Sequence, residues 1–278
     1  LQDAVSIVRL NESQRGTPLS VIGIVTDKRV TSNGNLLLEV EDPTGLTRVL
    51  VNQNREDIFS KGKEIVLDEI IGVKGVTGDK ILFANELVFA DVPATKELRK
   101  SEDEVYAVFI SDMHVGSTLF MEEAFLRFIK WLNGESGSKE QKEIAKKVKY
   151  LLIAGDMIDG CGIYPGQDSE LSIKDVEGQY SLVAEYLSSL RDDLSVVVIG
   201  GNHDALRLAE PQPVLDKDYA KAIWDLKNVT VTTNPSTVNI HAGRDFDGFN
   251  VLMYHGGSFH YFAENVDELR QSGGVRNP

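Results

Sequence analysis

Four short clusters of this chain carry side chains suited to holding divalent cations. They are Asp112 and His114 in Ser111-Asp112-Met113-His114, Asp156 in Gly155-Asp156-Met157-Ile158-Asp159, Asn202 in Gly200-Gly201-Asn202-His203-Asp204, and His255 in His255-Gly256-Gly257. Carboxylate, imidazole and amide oxygen together suit Mn²⁺, Fe²⁺ or Zn²⁺ better than Ca²⁺, which takes oxygen alone. A carboxylate shared by two cations roughly 3.5–4 Å apart would serve in-line attack by water on phosphorus, with the charge of the phosphoryl oxygens neutralised. Asp156, on a turn preceded by glycine, is best placed for the shared role. His203 lies beside Asn202 and before Asp204. That order suits an imidazole held by a carboxylate and aimed at the leaving group or a phosphoryl oxygen. Each fragment alone is common in proteins. Four in order, each at the end of an apolar run, are much harder to obtain by chance.

Those runs are Val105–Ile110, Tyr150–Ala154, Val196–Ile199 and Val251–Tyr254, continuous enough for strands buried on both faces. Helical patterns at Phe120–Leu132, Gln141–Lys149, Val176–Leu190 and Tyr219–Leu226 alternate with them, which predicts a layered α/β domain. In an open α/β sheet the carboxyl ends of neighbouring strands face one crevice, so residues 143 positions apart (255 − 112) are expected to meet there.

The first hundred residues read differently. Leu19–Val25, Asn35–Val40, Thr47–Val51, Glu64–Val73 and Lys80–Ala90 are short segments rich in Val, Ile and Leu, separated by Asn/Asp/Gly/Pro turns, with one helical candidate near Gln53–Phe59. The spacing matches a five-stranded barrel of the OB type, and a generic β-sandwich fits almost as well. The charged stretch after Asp91, with Pro93 and Lys96–Glu104, reads as a linker. The expected organisation is therefore a barrel over 1–95, a linker over 96–104 and an α/β domain over 105–278.

Composition fits a soluble globular protein: 278 residues, 42% hydrophobic and 26% charged. The net charge of −14 excludes a simple basic nucleic-acid binder. The single Cys161 excludes an internal disulfide framework and fits a reducing compartment. No apolar run is long enough to span a bilayer and residues 1–10 carry no signal-peptide core, so a cytoplasmic location and no membrane partner are expected.

The series Asp112-x-His114, Gly155-Asp156-x-x-Asp159, Gly201-Asn202-His203-Asp204 and His255-Gly256, within VFISDMHVGS, LLIAGDMIDG, VVIGGNHD and VLMYHG, resembles the calcineurin-like metallophosphoesterase superfamily. A β-barrel ahead of such a domain is similar to the small subunits of archaeal family-D DNA polymerases. That resemblance implies Asp112, His114 and Asp156 on one metal ion and Asp156, Asn202 and His255 on a second, Mn²⁺ first and Fe²⁺ or Zn²⁺ next. It makes His203 the catalytic histidine and Asp204 its orienting partner. It also implies 3′–5′ exonuclease activity on DNA, the polymerase's large catalytic subunit as partner, and a sliding clamp contacted through regions outside these residues. One departure stands out. The superfamily's Gly-His-x-His motif does not follow His255, so the α/β domain is expected to be C-terminally truncated and to bind metal weakly. The rival readings are a scaffold subunit of weak activity and a phosphatase or phosphodiesterase acting on other substrates.

Other residues take plainer roles. His241 is expected on a strand or the surface, and His260 in a structural role. Asp159 is either an outer partner of the site or a helix N-cap. Phe120, Phe125, Phe128 and Trp131, at helical spacing, are expected to pack a core. The lysines of Lys142–Lys149 make a solvated helix face. The barrel's cations come with few aromatics to stack bases, which favours a protein-contacting barrel.

Overall fold

The computed structural model describes residues 1, 3–90 and 99–271, which divide between two compact units: 1–90 with 258–271, and 99–257. The linker expectation falls largely on residues 91–98, and the glycine-rich stretch after Gln271 on 272–278. Both lie outside the described residues.

The first unit opens with helix α1 (Ile7–Asn11), followed by β1 (Pro18–Val30), β2 (Leu36–Asp42), β3 (Gly45–Val51), α2 (Glu56–Glu64), β4 (Ile70–Thr77) and β5 (Ile81–Phe89). The five strands close into a barrel in the order β1-β2-β3-β5-β4, with one parallel pairing, β3 to β5. Closure decides for the OB-type barrel over the sandwich. The alternating residues Val21, Val25, Leu36, Leu38, Val40, Val49 and Val51 point inward and are fully or almost fully buried. The fourth strand begins later than the sequence pattern predicts. Glu64 ends α2, and Ile65 and Val66 bury themselves in the loop rather than in a strand. Helix α1 gives little signal in sequence. It buries Ile7 and Leu10 in the barrel core, and the Asp42 carboxylate accepts the Ile7 N–H at 2.9 Å.

The second unit runs β6 (Tyr106–Ile110), α3 (Glu122–Leu132), α4 (Lys139–Lys147), β7 (Val148–Ala154), a 3₁₀ turn at Gln167–Ser169, α5 (Val176–Ser188), β8 (Ser195–Ile199), α6 (Lys221–Trp224), β9 (Val229–Val231), β10 (Ser236–Ile240) and β11 (Phe249–Met253). All four expected helices form. The strands β6-β7-β8-β9 make one parallel sheet, whereas β10 and β11 pair antiparallel as a separate sheet. This corrects one expectation: the fourth apolar run, which leads to His255, belongs to the second sheet, and the short β9 takes its place in the first. Apolar runs mark burial and leave the pairing partner undetermined.

One face of the parallel sheet packs against the helices through Leu151, Ile153, Tyr180, Val183, Leu187 and Val196. The other packs against β10–β11 through Leu152, Val197, Ile199 and Met253. His255 therefore approaches the ends of β7 and β8 from the second sheet. The Phe120–Phe125–Phe128–Trp131 stripe packs as a chain of rings with Tyr186, 5.4–6.0 Å between centroids. Helices α7 (Phe259–Asn265) and α8 (Asp267–Gln271) group with the first unit, although the sequence pattern assigns 105–278 to one domain.

Candidate metal centre

Three loops leave the carboxyl ends of β6, β7 and β8, and the first two are stitched together by their backbones. The Asp112 N–H donates to the Gly155 carbonyl, the His114 N–H to Asp156 and the Val115 N–H to Met157, each at 3.1 Å. To make those bonds and still turn inward, Asp112, His114 and Asp156 adopt left-handed backbone conformations (φ 54°, 50° and 51°). Non-glycine residues adopt that conformation at a cost, and such strain concentrates at functional sites.

Asp156 is the hub, with 2% of its surface exposed. Its Oδ1 accepts the His203 N–H at 2.8 Å, while Oδ2 stands 3.4 Å from His255 Nε2 and 3.7 Å from His114 Nε2. Gly201 makes this approach possible. A Cβ at residue 201 would run into the Asp156 Oδ1 and lie 2.9 Å from the His255 ring.

Burial works against ionisation of Asp156. The bonds from His255 and the His203 N–H outweigh it and hold the carboxyl below the usual carboxylate range. The bond to Asp156 pushes His255 up to about 9; burial opposes this, and the Ala154 carbonyl adds to it.

The imidazoles are set by their far nitrogens. His255 Nδ1 lies 2.8 Å from the Ala154 carbonyl, so its N–H points there and Nε2 faces Asp156 and the Asn202 Oδ1, 2.9 Å away. His114 Nδ1 meets the Asp159 carboxylate at 3.1 Å, the carboxylate–histidine pairing that orients a metal ligand. Asp159 is thus an outer partner of the site, and it is itself fixed by Gln167 Nε2 at 3.0 Å. A buried amide relay holds the remaining loops. Gln212 donates to the Gly201 carbonyl at 3.1 Å, Asn234 to Gln212 at 2.7 Å, and the His255 N–H to Asn234 Oδ1 at 3.0 Å. Gln167, Gln212 and Asn234 sit far from any recognisable cluster, and no sequence signal marks them.

All five expected ligands gather in one place. Two trios, His114–Asp156–His203 and Asp112–Asp156–His255, each bring their ligand atoms within 4.8 Å of one another, and Asp156 is common to both. Two donors about 2.1 Å from one ion stand roughly 3–4 Å apart, so the observed 3.4–3.9 Å separations fit divalent cations. The mix of carboxylate, imidazole and amide oxygen fits them in kind. The trios differ from the expected partition in two respects: His203 stands with His114 and Asp156, its ring edge-on to His114 at 4.5 Å, and Asp112 groups with Asp156 and His255 rather than with His114.

Asp204 does not orient His203. Its Oδ1 accepts the Tyr180 hydroxyl at 3.1 Å and its Oδ2 the Gly201 N–H at 2.9 Å, pointing away from the imidazole. Burial pushes Asp204 up to about 6, and hydrogen bonds from Gly201 and Tyr180 limit the rise. His203 Nδ1 is taken instead by the Asp159 backbone carbonyl at 2.8 Å.

His241 stands apart, against Tyr150 and Asp103, and His260 lies on α7 of the first unit. Cys161 is exposed and belongs to neither trio. No helix among the described residues is long and apolar enough to cross a membrane.

Comparison with known proteins finds relatives along most of the chain. The chain is 42% identical over 251 residues to a DNA polymerase II small subunit of Methanothermobacter thermautotrophicus, covering 90% of this chain and 50% of that protein. It is 43% identical over 258 residues to the Pyrococcus abyssi protein of the same name, covering 92% and 40%. With the Halobacterium salinarum protein of that name it shares 42% identity over 243 residues, covering 87% and 45%. The chain spans about half or less of the length of these relatives. The calcineurin-like phosphoesterase family model matches residues 106–277, from the first strand of the parallel sheet onward. Divalent cations at the strand ends are what that family implies, and by this match the chain belongs to the calcineurin-like phosphoesterase family.

Proposed function

We propose that this chain is the nuclease-bearing part of an archaeal replicative polymerase's small subunit, hydrolysing DNA phosphodiesters from the 3′ end and docking the large catalytic subunit. One observation carries the reading: Asp112, His114, Asp156, Asn202 and His255 converge on a single buried carboxylate at the rim of the sheet. The similarity to three polymerase small subunits supports the choice of substrate and partner.

Asp112, His114 and Asp156 would hold one cation and Asp156, Asn202 and His255 the other, with Mn²⁺ favoured by the mixed donors. The cations would supply Lewis acidity toward the phosphoryl oxygens and lower the pKa of water. Against burial, the bonds from His255 and the His203 N–H hold the Asp156 carboxyl below the usual range, and the His203 N–H bond would remain where His255 turns its Nε2 to a cation. In hydrolysis the oxygen of water bonds to phosphorus, the P–O3′ bond breaks, and the departing O3′ takes up a proton. His203, its Nδ1 engaged with the Asp159 carbonyl, presents Nε2 to give that proton or to stabilise a phosphoryl oxygen.

The test uses single-stranded DNA labelled at either end, with Mn²⁺ or with EDTA. We expect Mn²⁺-dependent shortening from the 3′ end, lost in Asp156→Asn. Hydrolysis unaffected by Asp156→Asn, or an intact strand in Mn²⁺, would overturn the reading.

A further inference from the structure

Two clefts meet at His203. One, of about 1060 Å³, runs from Gly160–Ile163 past Asn202 and His203 to Arg207, Lys217 and Trp224. The other, of about 680 Å³, runs from Asp112, His114 and His203 along Leu119, Phe120 and Met121. Their linings differ in charge: Arg207 and Lys217 line the larger together with Asp204 and Asp216, whereas the smaller holds carboxylates and no Lys or Arg. In the larger cleft neither Arg207 nor Lys217 has a carboxylate partner among the described residues: Arg207 donates to the Pro211 carbonyl at 2.5 Å, and the Lys217 ammonium rests 4.7 Å above the Trp224 ring. Asp216 lines the same cleft, its Oδ1 taken by the Asp218 N–H at 2.8 Å. The smaller cleft is apolar and acidic. It holds no Lys or Arg, its carboxylates are Asp112, Asp159 and Glu170, and Leu119 and Met121 stand exposed at its mouth.

A phosphodiester has two arms, and this centre offers one cleft to each. The arm that continues as a strand carries further phosphates and needs cations. The terminal arm carries none and needs no cation beyond the metal centre. Resting on the nuclease reading above, we propose that the two clefts divide the substrate. Arg207 and Lys217 bind backbone phosphates of the retained strand, and the Leu119–Phe120–Met121 cleft receives the single terminal nucleoside. Beyond the cation proposed at Asp112 and His114, a second phosphate in the smaller cleft would face Glu170 with no Lys or Arg to offset it. The arrangement therefore favours removal of one nucleotide at a time from an unpaired end.

The experiment is binding of a fluorescein-labelled single-stranded 12-mer by the full chain at several salt concentrations, followed by product analysis in Mn²⁺. Each phosphate contact on a single strand contributes about 0.7 to the slope of log K against log salt. Replacing both cations (Arg207→Ala with Lys217→Ala) is expected to reduce that slope by about 1.4 and to weaken binding about tenfold. Digestion by the unaltered protein is expected to release mononucleotides. An unchanged slope in a variant whose unfolding matches that of the parent would overturn the strand assignment, and release of dinucleotides or longer pieces would overturn the terminal one. The two readings fail separately. DNA bound with the expected slope change but left uncut refutes the nuclease and keeps the strand subsite, whereas cutting with no slope change refutes the subsite and keeps the nuclease.

Discussion

The His203 imidazole turns its Nδ1 to the backbone carbonyl of Asp159 at 2.8 Å, although a carboxylate, Asp204, is the next residue in the chain. Neighbours on a tight loop point to opposite sides. Asp204 goes inward to Tyr180 and the Gly201 N–H, and His203 goes outward to the site. The two residues should therefore fail in different ways. His203→Ala is expected to lower hydrolysis about 100-fold or more, the usual scale for losing a proton-transfer group, while calorimetry still finds two bound Mn²⁺ ions. Asp204→Ala leaves the Gly201 N–H and the O–H of Tyr180, which still accepts the Ala205 N–H, without an acceptor in the core and should cost about 1–3 kcal/mol in urea unfolding of the second unit. Loss of one ion in His203→Ala would make that residue a ligand instead.

Asp156 is common to both trios, so its removal should abolish binding at both rather than at one. An ion that binds only the folded protein stabilises it by about 2.7 kcal/mol at a concentration a hundred times its Kd. Mn²⁺ at that excess should raise the melting temperature of the parent protein by several degrees, and Asp156→Asn should show no shift. A full shift in the variant would remove Asp156 from the bridging position.

Gly201 gives a test that changes no donor. A methyl group there would displace the Asp156 carboxylate, since the site leaves no room between the two. Gly201→Ala is expected to weaken Mn²⁺ binding about tenfold or more while the protein remains folded, since overpacking typically costs about 1–3 kcal/mol. Calorimetry showing the parent's affinity would mean that the loop yields freely.

Much of this was legible before any coordinates. Strands appear where Val, Ile and Leu cluster between turn residues, and the clusters at 112, 156, 202 and 255 appear where apolar runs end abruptly in Asp, His and Asn. What escaped has physical causes. Barrel closure rests on the parallel pairing of Arg48–Leu50 with Ile81–Phe83, which no local pattern encodes. The three-residue β9 is too short to show a period. The Gln212–Asn234 relay joins side chains 22 positions apart, and an isolated amide in sequence looks like any surface residue until its burial is known. The outward turn of His203 depends on a backbone carbonyl, and every residue has one.

The barrel offers a prediction independent of the metal centre. Asp42 accepts the Ile7 N–H through Oδ2 and, through Oδ1, the N–H groups of Thr44 and Gly45 at 2.7 and 3.1 Å, so one carboxylate ties α1 to the β2–β3 turn. Burial alone would raise its pKa, but the bonds from Thr44, Ile7 and Gly45 outweigh it and hold Asp42 below the ordinary value. A carboxyl depressed in the folded state contributes stability that is present above its unfolded pKa, about 3.9, and is lost as pH falls through the lower folded value. Asp42→Ala should therefore loosen α1 by about 1 kcal/mol at pH 7, the usual cost of losing such a cap. The difference from the parent should shrink below about pH 4. Hydrogen exchange of residues 7–11 reads this directly. We expect faster exchange in Asp42→Ala at pH 7 and converging, intrinsic-rate-corrected protection as the pH drops through the carboxylate range. Equal protection of the two proteins at pH 7 would show that α1 is held by Ile7 and Leu10 in the core and not by the charge.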